Sequence, residues 1–350
     1  MKPNNKMCIA LSLLAATAAF SSCEDRIEVP DLEYKEDPNF APPHIDPAWE
    51  LVDISSQAGN GVYAYKDKLY DRLFTRDLGW NGGDGVQTTL LPDGNLWWTF
   101  NDSFYGVVKE GRNRPGGANN FPRNSVMVQA SHNGRLGETP DDQYWLMDYV
   151  QTDNPNADNY YKGRTHIRHP KATLTDEQIQ NGEIDSEWLY WAGDGTVVDG
   201  QLQQIWAGVH TIDGAMLAQN TCLAIYSLEG KPGDDSYLKL IDVDHNRFSE
   251  NPCGYGSTLW EDEDGHTYLY SSVGNGQFLG NVPVVARSAT HDLRSEWKYY
   301  VLTHDGTFVW QKEYPSDLQA KNSSILAPDQ GSLTLPWVFK KGDWYYMTAQ

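Results

Sequence analysis

A unit made of a glycine, a β-branched or leucine-rich strand, a tight turn carrying Asp-Gly or Gly-Asp, and an aromatic strand recurs four times in this chain of 350 residues. The copies are GGDGVQTTLLPDGNLWWTF from Gly82, AGDGTVVDGQLQQIWAG from Ala192, GYGSTLWEDEDGHTYLYSS from Gly254 and QGSLTLPWVFKKGDWYYMT from Gln330. A hairpin cannot bury its own face, whereas hairpin-based sheets stacked side by side can, so the recurrence predicts an all-β fold of radially repeated sheets. A β-sandwich with similar hairpins is the alternative. Helical periodicity is nearly absent, except that Thr175 and Gln178 make a capping-box pattern closed by Gly182.

The spacing of the units is uneven. Gly85, Gly195, Gly256 and Gly331 are 110, 61 and 75 residues apart. The widest gap holds a polar stretch at 132–185 that reads as an insertion over one face of the sheets. The final unit stops one hairpin into a blade. Either the chain is a piece of a longer protein, or earlier strands such as Gly61 to Tyr70 complete that blade.

Ahead of the repeats lie two segments of different character. Lys2 and Lys6 precede an apolar run of 14 residues, Met7 to Phe20, too short for a mature membrane span, so residues 1–22 read as a signal peptide. Its end, Phe20-Ser21-Ser22-Cys23, resembles a bacterial lipobox and makes Cys23 the expected lipidated residue. Glu24 and Asp25 resemble the export signal that sends some Gram-negative lipoproteins to the outer cell surface. The expected location is therefore the outer membrane, with membrane contact through the lipid anchor only. Residues 23–50, with five prolines and nine acids against two bases, read as an extended tether, leaving 51–350 as the folded domain. Cys222 and Cys253 remain and could pair outside the cytoplasm; their spacing matches no zinc pattern.

Composition narrows the partners. A net charge of −21, with no local basic stretch to offset it, excludes nucleic acid as a plausible ligand. The chain carries 13 Trp, all between Trp49 and Trp344. Those in the repeated second strands (Trp97, Trp98, Trp206, Trp344) are expected to pack the blades. Others suit a neutral, polyhydroxylated ligand whose C–H face stacks on an aromatic ring.

The first hairpin carries the chemistry. Leu91-Pro92-Asp93-Gly94 suits a type I turn closing a three-residue loop, which pairs Leu91 with Asn95 and, by extension, Asp84 with Asp102. Opposed residues lie with Cβ atoms roughly 5 Å apart. Two carboxylates so placed repel, one holding a proton while the other stays a base, which is the requirement for cleaving a glycosidic bond. Asp194 takes the corresponding place in the second unit and is a third candidate catalytic acid that tunes the pair; Tyr255 and Gln330 take it in the third and fourth and are candidate substrate contacts. These four side chains are expected to line one central pocket.

The run GGDGVQTTLLPDGNLWWTFNDSF, with PRNSVMV from Pro122, resembles the opening blade of bacterial five-bladed β-propeller glycosidases. In particular it resembles the lipoproteins catalogued as domain of unknown function 5005 and a related family with arabinan-cleaving members. The resemblance implies a five-bladed propeller, with its last blade incomplete in this chain, that cleaves a polysaccharide or oligosaccharide. It also implies that Asp84 and Asp102 are the catalytic pair. Phe100-Asn101-Asp102-Ser103 departs from the Gly-Asp-Thr common there, with Asn in place of Gly. A non-catalytic glycan-binding lipoprotein is the alternative.

Supporting residues follow from position. Trp80 and Tyr105 flank the two aspartates and are candidate sugar platforms; Arg123 and Asn124 open the next strand and are candidate substrate contacts. His166 and His169, in HIRH, read as surface-loop residues. Asp242, Asp244 and Asn246 imitate a calcium loop, but Arg247 stands where Gly is required. No cofactor is expected, with a structural calcium left open, and there is no GxSxG, HExxH or phosphate loop.

Overall fold

The computed structural model describes residues 49–51, 65–115, 120–146, 148–150, 161–175, 178, 183, 187–248, 254–274, 281–326 and 335–348. The signal peptide, Cys23, most of the tether, Cys253 and Gln330 lie outside them. The chain divides into two units, 1–66 and 67–350. The first contributes the strand Trp49–Leu51, which pairs with Tyr65–Asp67. Of the segment from Gly61 to Tyr70, the described residues form the strand Tyr65–Asp67 and the start of a short helix, Lys68–Phe74.

Unit 67–350 is all-β with antiparallel sheets. The first sheet runs, edge to edge, Gln143–Trp145, Ser125–Gln129, Leu96–Phe100, Gln87–Leu90. The second is a four-stranded meander from Trp188–Val198 through Gln201–Ile212 and Ala215–Leu228 to Tyr237–Phe248. The third has five strands, from Thr258–Glu261 to Phe308–Gln311, and Trp337–Lys341 pairs with Trp344–Thr348 as a last hairpin. The first hairpin also continues beyond its sheet as a ribbon of Leu78–Gly83 on Ser103–Val107.

The second sheet shows how period-2 alternation joins its neighbours. Trp206, Cys222, Ala224 and Tyr226 point into a core shared with Trp97, Val126 and Val128 of the first sheet. The intervening Ile205, Leu223 and Ile225 point into a second core with Leu269, Val284 and Ala286 of the third. Each large buried side chain contributes about 1.5–3 kcal/mol relative to exposure. Midway along Trp188–Val198 the second and third sheets meet backbone to backbone. A Cβ on Gly193 would lie 2.5 Å from the Gly256 carbonyl oxygen, and Asp194 N donates to that same oxygen at 2.8 Å.

Several expectations change here. The stretch 132–185 is not wholly an insertion, because Gln143–Trp145 forms the outer strand of the first sheet and covers an edge that would otherwise be unpaired. His166 and His169 are not surface-loop residues. His166 Nε2 meets the Tyr226 hydroxyl at 2.9 Å beside Trp97 and Trp206, and burial pushes its pKa down to about 4. His169 is 4% exposed and bonds Asn220 Oδ1 at 2.9 Å. Trp97 and Trp206 are fully buried in the core between the first two sheets, whereas Trp344 is 41% exposed. Cys222 is a free, buried thiol. The capping box forms, with Gln178 N donating to Thr175 Oγ1 and Thr175 N to Gln178 Oε1. Asp242, Asp244 and Asn246 lie within a strand. Among the described residues no helix is long and apolar enough to cross a membrane.

Candidate active site

The site is built by one turn. Leu91 N donates to Asn95 O and Gly94 N to Leu91 O, both at 2.9 Å, with Gly94 at φ 85°, so the loop has three residues. Asp93 accepts from Asn95 N at 3.0 Å and stiffens it. The register that follows, Gln87 opposite Thr99 through Leu90 opposite Leu96, resumes beyond the pair as Gly83 opposite Ser103. Between these stretches Asp84 N donates to Asp102 O at 3.3 Å and Asn101 N to Asp84 O at 2.8 Å. Gly85 at φ 57° allows the local bend, and a Cβ there would fall 1.8 Å from Asn101 Nδ2. Asn101 fills that space and accepts from Ala192 N at 2.7 Å, locking the ribbon to the second sheet.

The two carboxylates sit in different surroundings. Asp84 is exposed, yet its pKa is raised, first by partial burial and then by the nearby charge of Asp102. Asp102 lies against Arg123, whose Nη1 is 3.3 Å from both carboxylate oxygens, and Trp191 Nε1 approaches Oδ1 at 3.4 Å. The guanidinium supplies a counter-charge in a half-buried setting, since the side chains of Arg123 and Asp102 are 18% and 15% exposed. The Asp84 pKa is thus shifted upward, while Asp102 has a guanidinium and an indole N–H against its carboxylate.

The remaining expected residues divide. Arg123 reaches the pair. Asn124 is fully buried and instead holds backbone, accepting from Ile167 N at 2.9 Å and donating to Ile167 O and Tyr190 O. Trp80, 4% exposed, stacks on Trp145 at 4.6 Å, and Tyr105 is fully buried over Gly163, so neither offers a face to a sugar. Tyr255, 1% exposed, packs with Tyr299 and Tyr314 in the core. Asp194 does not join the pair. Its carboxylate accepts from Gly195 N at 2.8 Å and Leu259 N at 2.9 Å, and burial pushes its pKa up to about 7, with Glu261 adding to the rise. The expected pocket of four equivalent positions is therefore not formed by Asp84, Asp194 and Tyr255: stacking of the second and third sheets closes over two of them.

Trp191, Phe104, Phe121 and Arg114 were not singled out by sequence. Trp191 arrives from the second sheet, a relation that no hairpin register encodes. Phe104 could have been found, because the same register that pairs the aspartates puts it opposite Gly82. Among the described residues no group of three or more His, Cys, Asp or Glu could hold a metal ion.

The model of a family described as a domain of unknown function, DUF5005, matches residues 67–350. Among solved structures the chain is similar to a protein from Bacteroides ovatus ATCC 8483 that bears a provisional hydrolase description. That likeness has 54% identity over 86% of this chain and 71% of the other, with a TM-score of 0.78. Two further likenesses are an endo-1,5-α-L-arabinanase from Thermotoga petrophila RKU-1 and a xylan β-1,4-xylosidase from Bacillus halodurans C-125. The first has 15% identity over 75% of this chain and 54% of the other, TM-score 0.32; the second 10% over 77% and 49%, TM-score 0.26. No match is found among curated proteins.

Proposed function

The chain belongs to the DUF5005 family, and we propose that it is a glycoside hydrolase whose acid and base are Asp84 and Asp102. The observation that carries this reading is the adjacency of two carboxyls with opposite surroundings. Asp84, its pKa raised, protonates the leaving glycosidic oxygen. Asp102, paired with Arg123, attacks the anomeric carbon or activates water. Trp191 and Arg123 orient the Asp102 carboxylate. The hydrolase description of the Bacteroides ovatus relative points the same way.

In this reading the stacked sheets are part of a five-bladed propeller. The domain hangs on the 23–50 tether from lipidated Cys23 at the surface of a Gram-negative outer membrane, where a carbohydrate polymer or oligosaccharide is its substrate. The test is sugar release from a panel of purified plant and bacterial polysaccharides by the wild type, Asp84→Asn and Asp102→Asn. Loss of release in folded variants supports the assignment. A wild type that binds glycan without releasing sugar would instead make the protein a glycan-capturing lipoprotein.

A further inference from the structure

Beside the carboxylate pair two packed rings are flanked by two cations. Arg123, on Asp102, lies over the Phe121 ring with Cζ 5.3 Å from its centroid. Phe121 packs on Phe104 at 4.8 Å, and Arg114 Cζ lies over Phe104 at 4.5 Å. The cluster is at the surface: Phe104 is 39% exposed, an unusual position for a phenylalanine next to a polar site, and Arg114 is exposed. Glycine at position 82 leaves room for the guanidinium: a Cβ there would fall 2.8 Å from Arg114 Nη2, so another residue would push it aside.

The two arginines differ in what they face. Arg123 has a carboxylate. Arg114 Nε donates to Asn81 Oδ1 at 2.6 Å and Nη2 to Asn81 O at 2.8 Å, and its third contact is a ring face. Both hydrogen-bond acceptors are neutral. They orient the planar fork and leave three of its five N–H donors for another acceptor. A cation held this way, on an aromatic surface continuous with the carboxylate pair, is suited to a carboxylate carried on a sugar ring. The sugar's C–H face lies against the exposed flank of Phe104 and Phe121 while the fork takes the carboxylate.

We propose that Arg114, Phe104 and Phe121 form a subsite for a uronic acid unit of the glycan. This rests on the reading of the adjoining Asp84 and Asp102 as the bond-cleaving pair. The ligand class is a largely neutral glycan with isolated uronates, because a chain of net charge −21 disfavours a dense polyanion while one local guanidinium binds one carboxylate.

The test uses methyl glycosides of glucuronic and galacturonic acid and of glucose and galactose, with binding followed by NMR titration on the unaltered protein. At least one uronate binds several-fold more tightly than its neutral counterpart, and the preference shrinks as salt rises. Arg114→Ala removes the preference, a loss of roughly 3- to 10-fold for a partly exposed charge-assisted contact. Arg114→Lys recovers only part of it, and Phe104→Ala weakens both sugar types. Equal binding of acid and neutral sugars by the wild type overturns the subsite, and so does a preference that survives Arg114→Ala. Performed on Asp84→Asn, the titration separates the two claims. Uronate preference without any sugar release by the wild type retains the subsite and removes the hydrolase. Sugar release by the wild type together with equal binding of acid and neutral glycosides does the reverse.

Discussion

Asp84 and Asp194 occupy the same place in consecutive repeats, each an aspartate between glycines, the first between the strands Leu78–Gly83 and Gln87–Leu90 and the second at an irregularity within Trp188–Val198, and they lead different lives. Asp84 is exposed at the end of a ribbon, near a second carboxylate and within reach of a ligand. Asp194 is 6% exposed and serves as a strut, its oxygens holding one N–H of its own strand and one of the third sheet. The repeat supplies the acid in both cases. What differs is the neighbour, since the third sheet closes over Asp194 with Glu261 beside it, while Asn101 and Trp191 frame the first position without covering it.

The largest expected effect separates these roles directly. Asp84→Asn and Asp102→Asn reduce sugar release by about 10²- to 10⁴-fold, the range for a lost acid or base, with the melting temperature little changed. Asp194→Asn leaves the rate within a few-fold and lowers the melting temperature, because an amide offers one acceptor where two N–H groups need partners. A catalytic collapse in Asp194→Asn would erase the distinction.

Next comes the pH dependence of stability. The folded-state pKa of Asp194, about 7, is above its unfolded value of 3.8, so the folded protein binds the extra proton in between and stability falls as pH rises through that window. The loss amounts to about 4 kcal/mol at most. Denaturant unfolding of wild type and Asp194→Asn at pH 4 to 8 checks it, and the wild-type advantage should shrink steadily with pH. A constant difference would mean that burial does not raise the Asp194 pKa.

Backbone strain contrasts the two sites again. Gly85→Ala meets both a left-handed φ of 57° and Asn101 at 1.8 Å, and should lower stability by about 2–4 kcal/mol. Gly195→Ala meets the side-chain atoms Gln204 Oε1 at 2.8 Å and Thr89 Oγ1 at 2.9 Å, with ordinary φ, and should lower it less. Urea midpoints rank the pair. The smallest effect is electrostatic: Asp102→Asn removes the charge that helps raise the Asp84 pKa, so that pKa should fall in a carboxyl NMR titration, while the larger burial contribution remains.

The legible parts were those that depend on a few consecutive residues. Pro92, Asp93 and Gly94 specify a three-residue loop, and the loop alone sets which residues oppose one another as far as Asp84 and Asp102. The departure at Asn101 was visible but its reason was not: the asparagine reaches across to Ala192 N, and Gly85 makes room for it.

Local sequence determined that the described part of unit 67–350 is predominantly β, where its hairpins turn, and that two aspartates meet at the end of the first. Tertiary structure decided which aspartates and aromatics face outward. Register is a property of one turn, whereas exposure depends on what the adjacent sheet buries. For that reason Trp80 and Tyr105 became core, Trp191 came to Asp102 from another sheet, and Asp194 was enclosed.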